Sequence, residues 1–359
     1  MPTQIDNENH QKPMIEIDGV WKIFGTRSDE ALAAIKNEGL TKPEILEKFD
    51  CVVGVADASF DVKHGEVFCV MGLSGSGKST LVRHINRLLT PTAGRIIVDG
   101  QDIMSLNNAD LLRVRNRQIA MVFQDFGLMP HRSVRDNVAM PLEIRGMSQN
   151  ERWAAAEKSL ALVELSQWGD KFAHELSGGM QQRVGLARAI AADADVLLMD
   201  EPFSALDPLI RRQLQDEFSN LASIMKKTTV FITHDLDEAV RIGDRIAIMR
   251  DGVIVQTGTP EQIIMNPVDS YVSDFVAGIS RINLIRAHSL TIPIQQFESE
   301  NGPLPSDLPH MNEDATLKQL IEASTHTDGP ILVKNNDGSD LGIVTKDGLL
   351  KGVILGTES

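Results

Sequence analysis

Apolar positions along this chain fall into two alternating kinds of run. Short β-rich runs (GEVFCVMG, IAMVFQ, DVLLMD, TTVFITH and RIAIMRDG) are separated by stretches of helical spacing such as KSTLVRHINRLL and PLIRRQLQDEFSNL. That alternation predicts an α/β domain around a largely parallel sheet. Ahead of it, residues 15–24 read as a strand. Residues 27–51 then form an insert with two short helical patterns around a Gly/Pro break at 39–43. The pattern stops near Ser280. Beyond it a Pro/Gly/Ser-rich stretch at 301–309 precedes a helical pattern (TLKQLIEAS), a strand (PILVKN), a DG turn and LGIVTKDGLL, which predicts a small separate α/β module.

Composition narrows the function classes. With 359 residues, 42% of them hydrophobic, the chain can bury the core of one large domain and a smaller appendage. A formal charge of −15 without a long Lys/Arg run offers no footprint for a phosphate backbone, so nucleic acid is not an expected partner. From Ile282 onward there are eleven acidic against five basic residues, a tail that anionic lipid should repel. Cys51 and Cys69 lack metal-ligand spacing, which points to a reduced, cytosolic setting. The polar start lacks the layout of a signal peptide and no apolar run has the length of a membrane span, so membrane contact is expected through partners.

The strongest local signal is Gly72, Leu73, Ser74, Gly75, Ser76, Gly77, Lys78, Ser79 and Thr80, which match G-x-x-x-x-G-K-[ST] between a predicted strand and a predicted helix. Glycines let successive N–H groups curve around phosphate oxygens, and the helix N-terminus adds positive partial charge. Lys78 should reach the outer phosphates and Ser79 should ligate Mg²⁺. A Gly/Ser turn by chance is the bland alternative. In VLLMDEP, a buried strand would deliver Asp200 to the metal and Glu201 to the attacking water as general base, although a DE pair can also be a solvated strand end. Ser177, Gly178 and Gly179 stand at a helix start, where a hydroxyl and bare N–H groups suit a phosphate as well as they suit an ordinary N-cap.

Taken in order, GLSGSGKST, VFQ, LSGGMQQR, VLLMDEP, SALD and FITHD resemble the ABC ATPase family over roughly residues 15–278. The resemblance implies a P-loop NTPase fold: a RecA-like core with β and α-helical subdomains over residues 1–280, the helical, signature-bearing part at about 125–190. It implies ATP and Mg²⁺ as cofactors, Gln124 as a residue touching both metal and transport subunit, Asp207 as the acid of the SALD loop and His234 as the switch histidine. Phe24 matches the aromatic position that stacks on adenine. One P-loop and one signature per chain imply a homodimer, each P-loop facing the other copy's LSGG.

The insert, with FGLMPHRSVRDNV, FSALDPLIRRQLQDE and HDLDEAVRIGDRIAIM, further resembles ATPases of quaternary-amine importers, which take up glycine betaine, proline betaine, choline and related osmolytes. That implies membrane-spanning permease subunits and an extracytoplasmic binding protein as partners, and a place on the cytoplasmic face of the membrane. Phe126, Leu128, Met129 and Pro130, within 125–145, offer an apolar patch for a permease helix, with core packing as the competing reading. Residues 309–359 resemble one CBS repeat, and 281–308 read as a linker or a degenerate first repeat. The alternatives are an importer of another small solute, such as trimethylamine N-oxide or an amino acid, and a soluble ABC ATPase. The solute itself is not written in a chain that never needs to touch it.

Overall fold

The computed structural model describes residues 12–124, 126–204, 206–278, 282, 284–305, 308–327 and 329–354. It comprises two compact units that divide after Thr257.

In the first unit, strands β1 (Ile15–Phe24), β2 (Val52–Val62), β4 (Ala93–Val98) and β5 (Gln101–Asp102) form a sheet of order β2-β1-β4-β5. Period-two alternation in β2 (VVGVADASFDV) turns Val53 and Val55 inward and, after a change of phase at Ala56 and Asp57 (φ 51), Ala58, Phe60 and Val62. A second sheet runs β10-β9-β3-β8-β7-β6, built from β3 (Val67–Met71), β6 (Ile119–Val122), β7 (Val196–Asp200), β8 (Thr228–Thr233), β9 (Arg245–Arg250) and β10 (Val253–Gly258). Pairings β9-β3, β3-β8, β8-β7 and β7-β6 are all parallel. Every residue of β3 and β8 is buried, as expected of a parallel sheet covered on both faces. One core joins the two sheets: Ile15, Ile17 and Phe60 pack with Phe68, Val70 and Val230. Leu81, Val82 and Ile85 of helix α3 (Lys78–Ile85) belong to the same core, so the helix that opens at the P-loop is wedged between the sheets.

The insert forms helices α1 (Ser28–Glu38) and α2 (Lys42–Phe49). Gly39, at φ 67, ends α1 in the left-handed region, and Thr41 with Glu44 closes a capping box at the start of α2. Ala31, Ala34 and Ile45 bury against Ile23, Cys51 and Val53 in a core of their own. After helix α4 (Asn108–Arg117) come α5 (Val134–Ile144), α6 (Gln149–Leu162) and α7 (Gly178–Ala191). Trp153 of α6 donates to Asp136 of α5 at 2.9 Å, and Arg183 of α7 pairs with Glu164 at 3.0 Å. Helices α8 (Pro208–Met225) and α9 (Leu236–Ile242) flank β8 in sequence.

The second unit holds α10 (Pro260–Met265), α11 (Ser270–Val276), α12 (Ile294–Asn301), α13 (Leu317–Ser324) and α14 (Lys346–Ile354). Its sheet has the order β11 (His310–Asn312), β12 (Ile331–Lys334), β13 (Asp340–Val344), with the first pair parallel and the second antiparallel. The unit begins upstream of the change in composition near Ser280, because Met265 packs against the core formed by Ile285, Leu317, Leu320, Ile331 and Val333. Residues 281–308, read from sequence as linker or degenerate repeat, contain a 3-10 turn at Ala287–Leu290 and α12. The polar start, the Asp125 end of the coupling segment, Ala205 of SALD and the last residues of the tail lie outside the described residues.

Candidate functional site

Residues 72–77 turn from the end of β3 into α3, and three glycines make the turn possible. Gly72, Gly75 and Gly77 hold φ of 154, 80 and 98, a region that favours glycine. A Cβ on Gly72 would stand 2.1 Å from the Met249 carbonyl oxygen, and one on Gly77 would stand 2.3 Å from that of Gly54. The loop is therefore pressed against backbone from β2 and from the β9–β10 turn, where Gly252 donates its N–H to the Ser76 carbonyl at 2.9 Å. The buried hydroxyl of Ser76 has no hydrogen-bond partner.

Lys78 is nearly fully buried. Its ammonium donates to the carbonyls of Gly72 at 2.8 Å and Leu73 at 3.0 Å and lies 3.9 Å from Glu201 Oε1. Burial pulls its pKa below the ordinary lysine value, while Glu201 and Asp200 push the other way. Ser79, one residue on, donates to Asp200 Oδ1 at 2.6 Å. Asp200 closes β7 and is completely buried, and Arg83 takes its second oxygen at 3.0 Å. Glu201 follows with φ 48, and its N–H bonds to the Ile232 carbonyl of β8. Its Oε2 lies 3.1 Å from His234 Nδ1 just beyond the end of β8. Parallel pairing of β3, β8 and β7 thus brings Lys78, Ser79, Asp200, Glu201 and His234 together at the carboxyl ends of adjacent strands, where ligands of open α/β sheets bind.

Gln124 is exposed, two residues past Val122, which pairs with Met199 beside Asp200. Phe24 ends β1 opposite Val52 and is 40% exposed. Its ring lies so close to Gly54 that a Cβ there would meet it at 2.7 Å, so strand register undoes the separation that the insert makes in sequence. The Lys22 ammonium sits over the same ring at 5.1 Å.

Ser177, Gly178 and Gly179 share a groove of ≈ 470 Å³ with Asp207, and none of residues 72–80 lines it. Ser177 Oγ accepts the Met180 N–H as N-cap of α7, and Asp207 Oδ1 accepts the N–H groups of Leu209 and Ile210 at 3.2 Å as N-cap of α8. Lower on α7, buried Arg188 donates to the carbonyls of Gly127 at 2.6 Å and Phe126 at 2.7 Å, tying the signature helix to the segment after Gln124.

Arg188 is missing from the sequence reading, and so are two further arginines. Arg83 lies four residues after Ser79, on the same face of α3, and that spacing is the signal that could have found it. Arg211 of α8 donates to the carbonyls of Phe203, Ser204 and Leu206 and reaches Asp235 at 3.5 Å. No local spacing announces it.

A family model described as ABC transporter matches residues 55–204. The chain is 50% identical over 90% of its length to the glycine betaine/carnitine transport ATP-binding protein GbuA of Listeria monocytogenes, of which it covers 78%. It is 52% identical over 74% of its length to the glycine betaine/proline betaine transport ATP-binding protein ProV of Escherichia coli, covering 66% of that protein. It is 44% identical over 94% of its length to the trimethylamine N-oxide transport ATP-binding protein TmoW of Ruegeria pomeroyi, covering 96%. Among solved structures, a dimeric ATP-binding cassette in a post-hydrolysis state with ADP and Pi superposes with a TM-score of 0.59 at 29% identity, over 69% of this chain and 99% of that one. The chain belongs to the ATP-binding subunits of ABC transporters, which bind and hydrolyse ATP to drive transport.

Proposed function

We propose that this chain, as one of two copies on the cytoplasmic face of a permease, hydrolyses Mg·ATP to import a quaternary-amine osmolyte of the glycine betaine class. The observation that carries the ATPase half is the meeting of Lys78, Ser79, Asp200, Glu201 and His234 at one end of the parallel sheet. Lys78 and the N–H groups of residues 72–80 bind the β- and γ-phosphates. Ser79 and Asp200 present hard oxygen donors 2.6 Å apart, a pair suited to Mg²⁺, which takes few protein ligands alongside phosphate and water; Gln124 would complete that set. When bound, the ion would supply positive charge to offset that of the phosphates. Glu201 orients the attacking water and takes its proton, while His234 fixes the carboxylate from the other side. Phe24 offers its exposed ring to adenine.

Ser177, Gly178, Gly179 and Asp207 line a groove without a P-loop residue of their own chain. A second copy, with its own Mg·ATP, fits there, its γ-phosphate against the N-terminus of α7. The half-exposed segment around Phe126, Leu128 and Met129, tied to α7 by Arg188, suits a helix from the permease. The sheet β11–β13 with α13 and α14 supports reading residues 309–359 as one CBS-like repeat.

The solute class rests on the solutes for which the relatives at about half identity are named. Trimethylamine N-oxide is the second reading, favoured by relatives named for it at 46% and 44% identity. The test is ATP hydrolysis in liposomes that carry this chain with its permease and binding protein. Stimulation by glycine betaine or proline betaine is expected. A response to trimethylamine N-oxide alone selects the second reading, and indifference to both betaines, choline and trimethylamine N-oxide overturns the osmolyte assignment.

A further inference from the structure

The helical insert 27–51 takes no part in the chemistry above, yet it reaches the nucleotide site through one side chain. Lys42, the first residue of α2, donates its ammonium to the carbonyl of Asp251, 209 residues away in the turn between β9 and β10. That turn is the backstop of the P-loop. Gly252 donates to the Ser76 carbonyl at 2.9 Å and accepts the Ala56 N–H at 2.8 Å. A Cβ on Gly77 would come within 3.4 Å of the Gly252 Cα, and one on Gly252 within 3.3 Å of the Lys42 ammonium. Asp251 itself holds φ 49, a left-handed geometry that a non-glycine residue adopts at some cost.

We propose that the insert is a brace for the nucleotide site, with Lys42 the positioning residue that holds the 251–252 turn against the P-loop. The inference rests on the reading of residues 72–80 as the Mg·ATP site. The physical argument has two parts. Gly252 is already held by two backbone bonds, so what the turn gains from the insert is a charged donor on the carbonyl of its strained residue, Asp251. The brace is itself rigid: α2 begins at a closed capping box, and Ile45 anchors it in the insert's own core. Loss of the tether leaves the fold standing and lets the P-loop's rear wall relax, which weakens phosphate binding by spoiling preorganisation.

The experiment measures the Kd of the full-length chain for Mg·ATP, together with the thermal midpoint of the nucleotide-free protein. Lys42→Met is expected to raise the Kd about five- to tenfold, the size of one lost charge-assisted bond felt at second hand. Lys42→Arg, which keeps a charged donor, should restore the Kd to within about twofold, and Lys48→Met, which removes the same charge from the exposed side of α2, should leave it within about twofold. The midpoint of Lys42→Met should move by no more than about 2 °C. An unchanged Kd in Lys42→Met overturns the brace, as does an equal rise in Lys48→Met, which would be bulk charge. A Kd that rises only in step with a large fall in midpoint overturns it too. If the wild-type chain fails to bind Mg·ATP, the nucleotide reading falls and the brace with it; binding by wild type and Lys42→Met alike removes the brace alone.

Discussion

The two ends of the site are built on opposite plans. At the P-loop, Ser79 and Arg83 reach across 121 and 117 residues of sequence to the buried Asp200, and Glu201 is met from either side by Lys78 and His234. At the signature, Ser177 and Asp207 bond to their own helices, and Gly178 stands exposed with nothing within 4 Å of where a Cβ would be. One end is tied together within a single chain by ion pairs and hydrogen bonds. The other is a pair of capped helix ends around an open groove, useful once something with phosphates is placed in it. On the proposed function binding and catalysis are separable: one chain should hold nucleotide, and two should be needed to use it.

The largest effect that can test this division is chemical. Glu201→Gln should cut turnover by about a thousandfold, the ordinary worth of a general base, while Mg·ATP still binds and the protein elutes as a dimer. Turnover within a few-fold of wild type would place the water elsewhere. Next, Gly178→Asp puts an acid at a helix N-terminus with free space around it, so the fold should tolerate or slightly prefer it. Hydrolysis should nevertheless fall about a hundredfold, because the carboxylate faces the incoming γ-phosphate, while the Kd of the single chain for ATP stays the same. A parallel loss of ATP affinity would show that both ends act within one chain.

The P-loop end should also be the acid-sensitive one. His84 on α3 is fully buried, and burial lowers its pKa from 6.5 to about 4 against the smaller upward pull of the Thr80 and Leu81 backbone. The folded state then binds fewer protons than the unfolded one between those values, so stability is present above 6.5 and is lost as pH falls toward 4. Between pH 7 and pH 5 this group contributes a loss of about 2 kcal/mol. Urea melts of His84→Leu at the two pH values should show the wild-type difference reduced by that amount. The smallest effect concerns Arg83→Gln, which strips the buried Asp200 of its arginine. With Arg83 42% exposed, solvent screens the pair and the cost should be about 1 kcal/mol, smaller in Mg·ATP than without it. An equal cost with and without Mg·ATP would separate Arg83 from the metal site.

Much of this was legible in the residues because it is local. The P-loop glycines, the buried run VLLMD and the period of each strand carry their geometry in short spacings, and the strand 15–24 and the helical pair around 39–43 were readable for the same reason. Phe24 was nearly lost, since only antiparallel register returns it to the P-loop after the insert. Arg83, at i+4 from Ser79, carries a signal in spacing alone. Arg211 and Lys42 were not readable: they act on backbone carbonyls, which every residue has, so no partner side chain marks the place. The start of the second unit at Gly258 was hidden because Met265 belongs to a core whose other members begin only at Ile285.

The P-loop is backed by β2 and by the turn at 251–252, and β3 beside it is flanked by β8 and β9, which close only when residues 228–250 arrive. On the ribosome, therefore, the nucleotide motif and its β2 wall are made early, but the walls from residues 228–252 are missing until about two-thirds of the chain has been synthesised. Stabilisation by ATP is then expected of a chain that has already closed its sheet. Capture by immobilised nucleotide is, for this protein, an assay of finished translation and folding as much as of affinity.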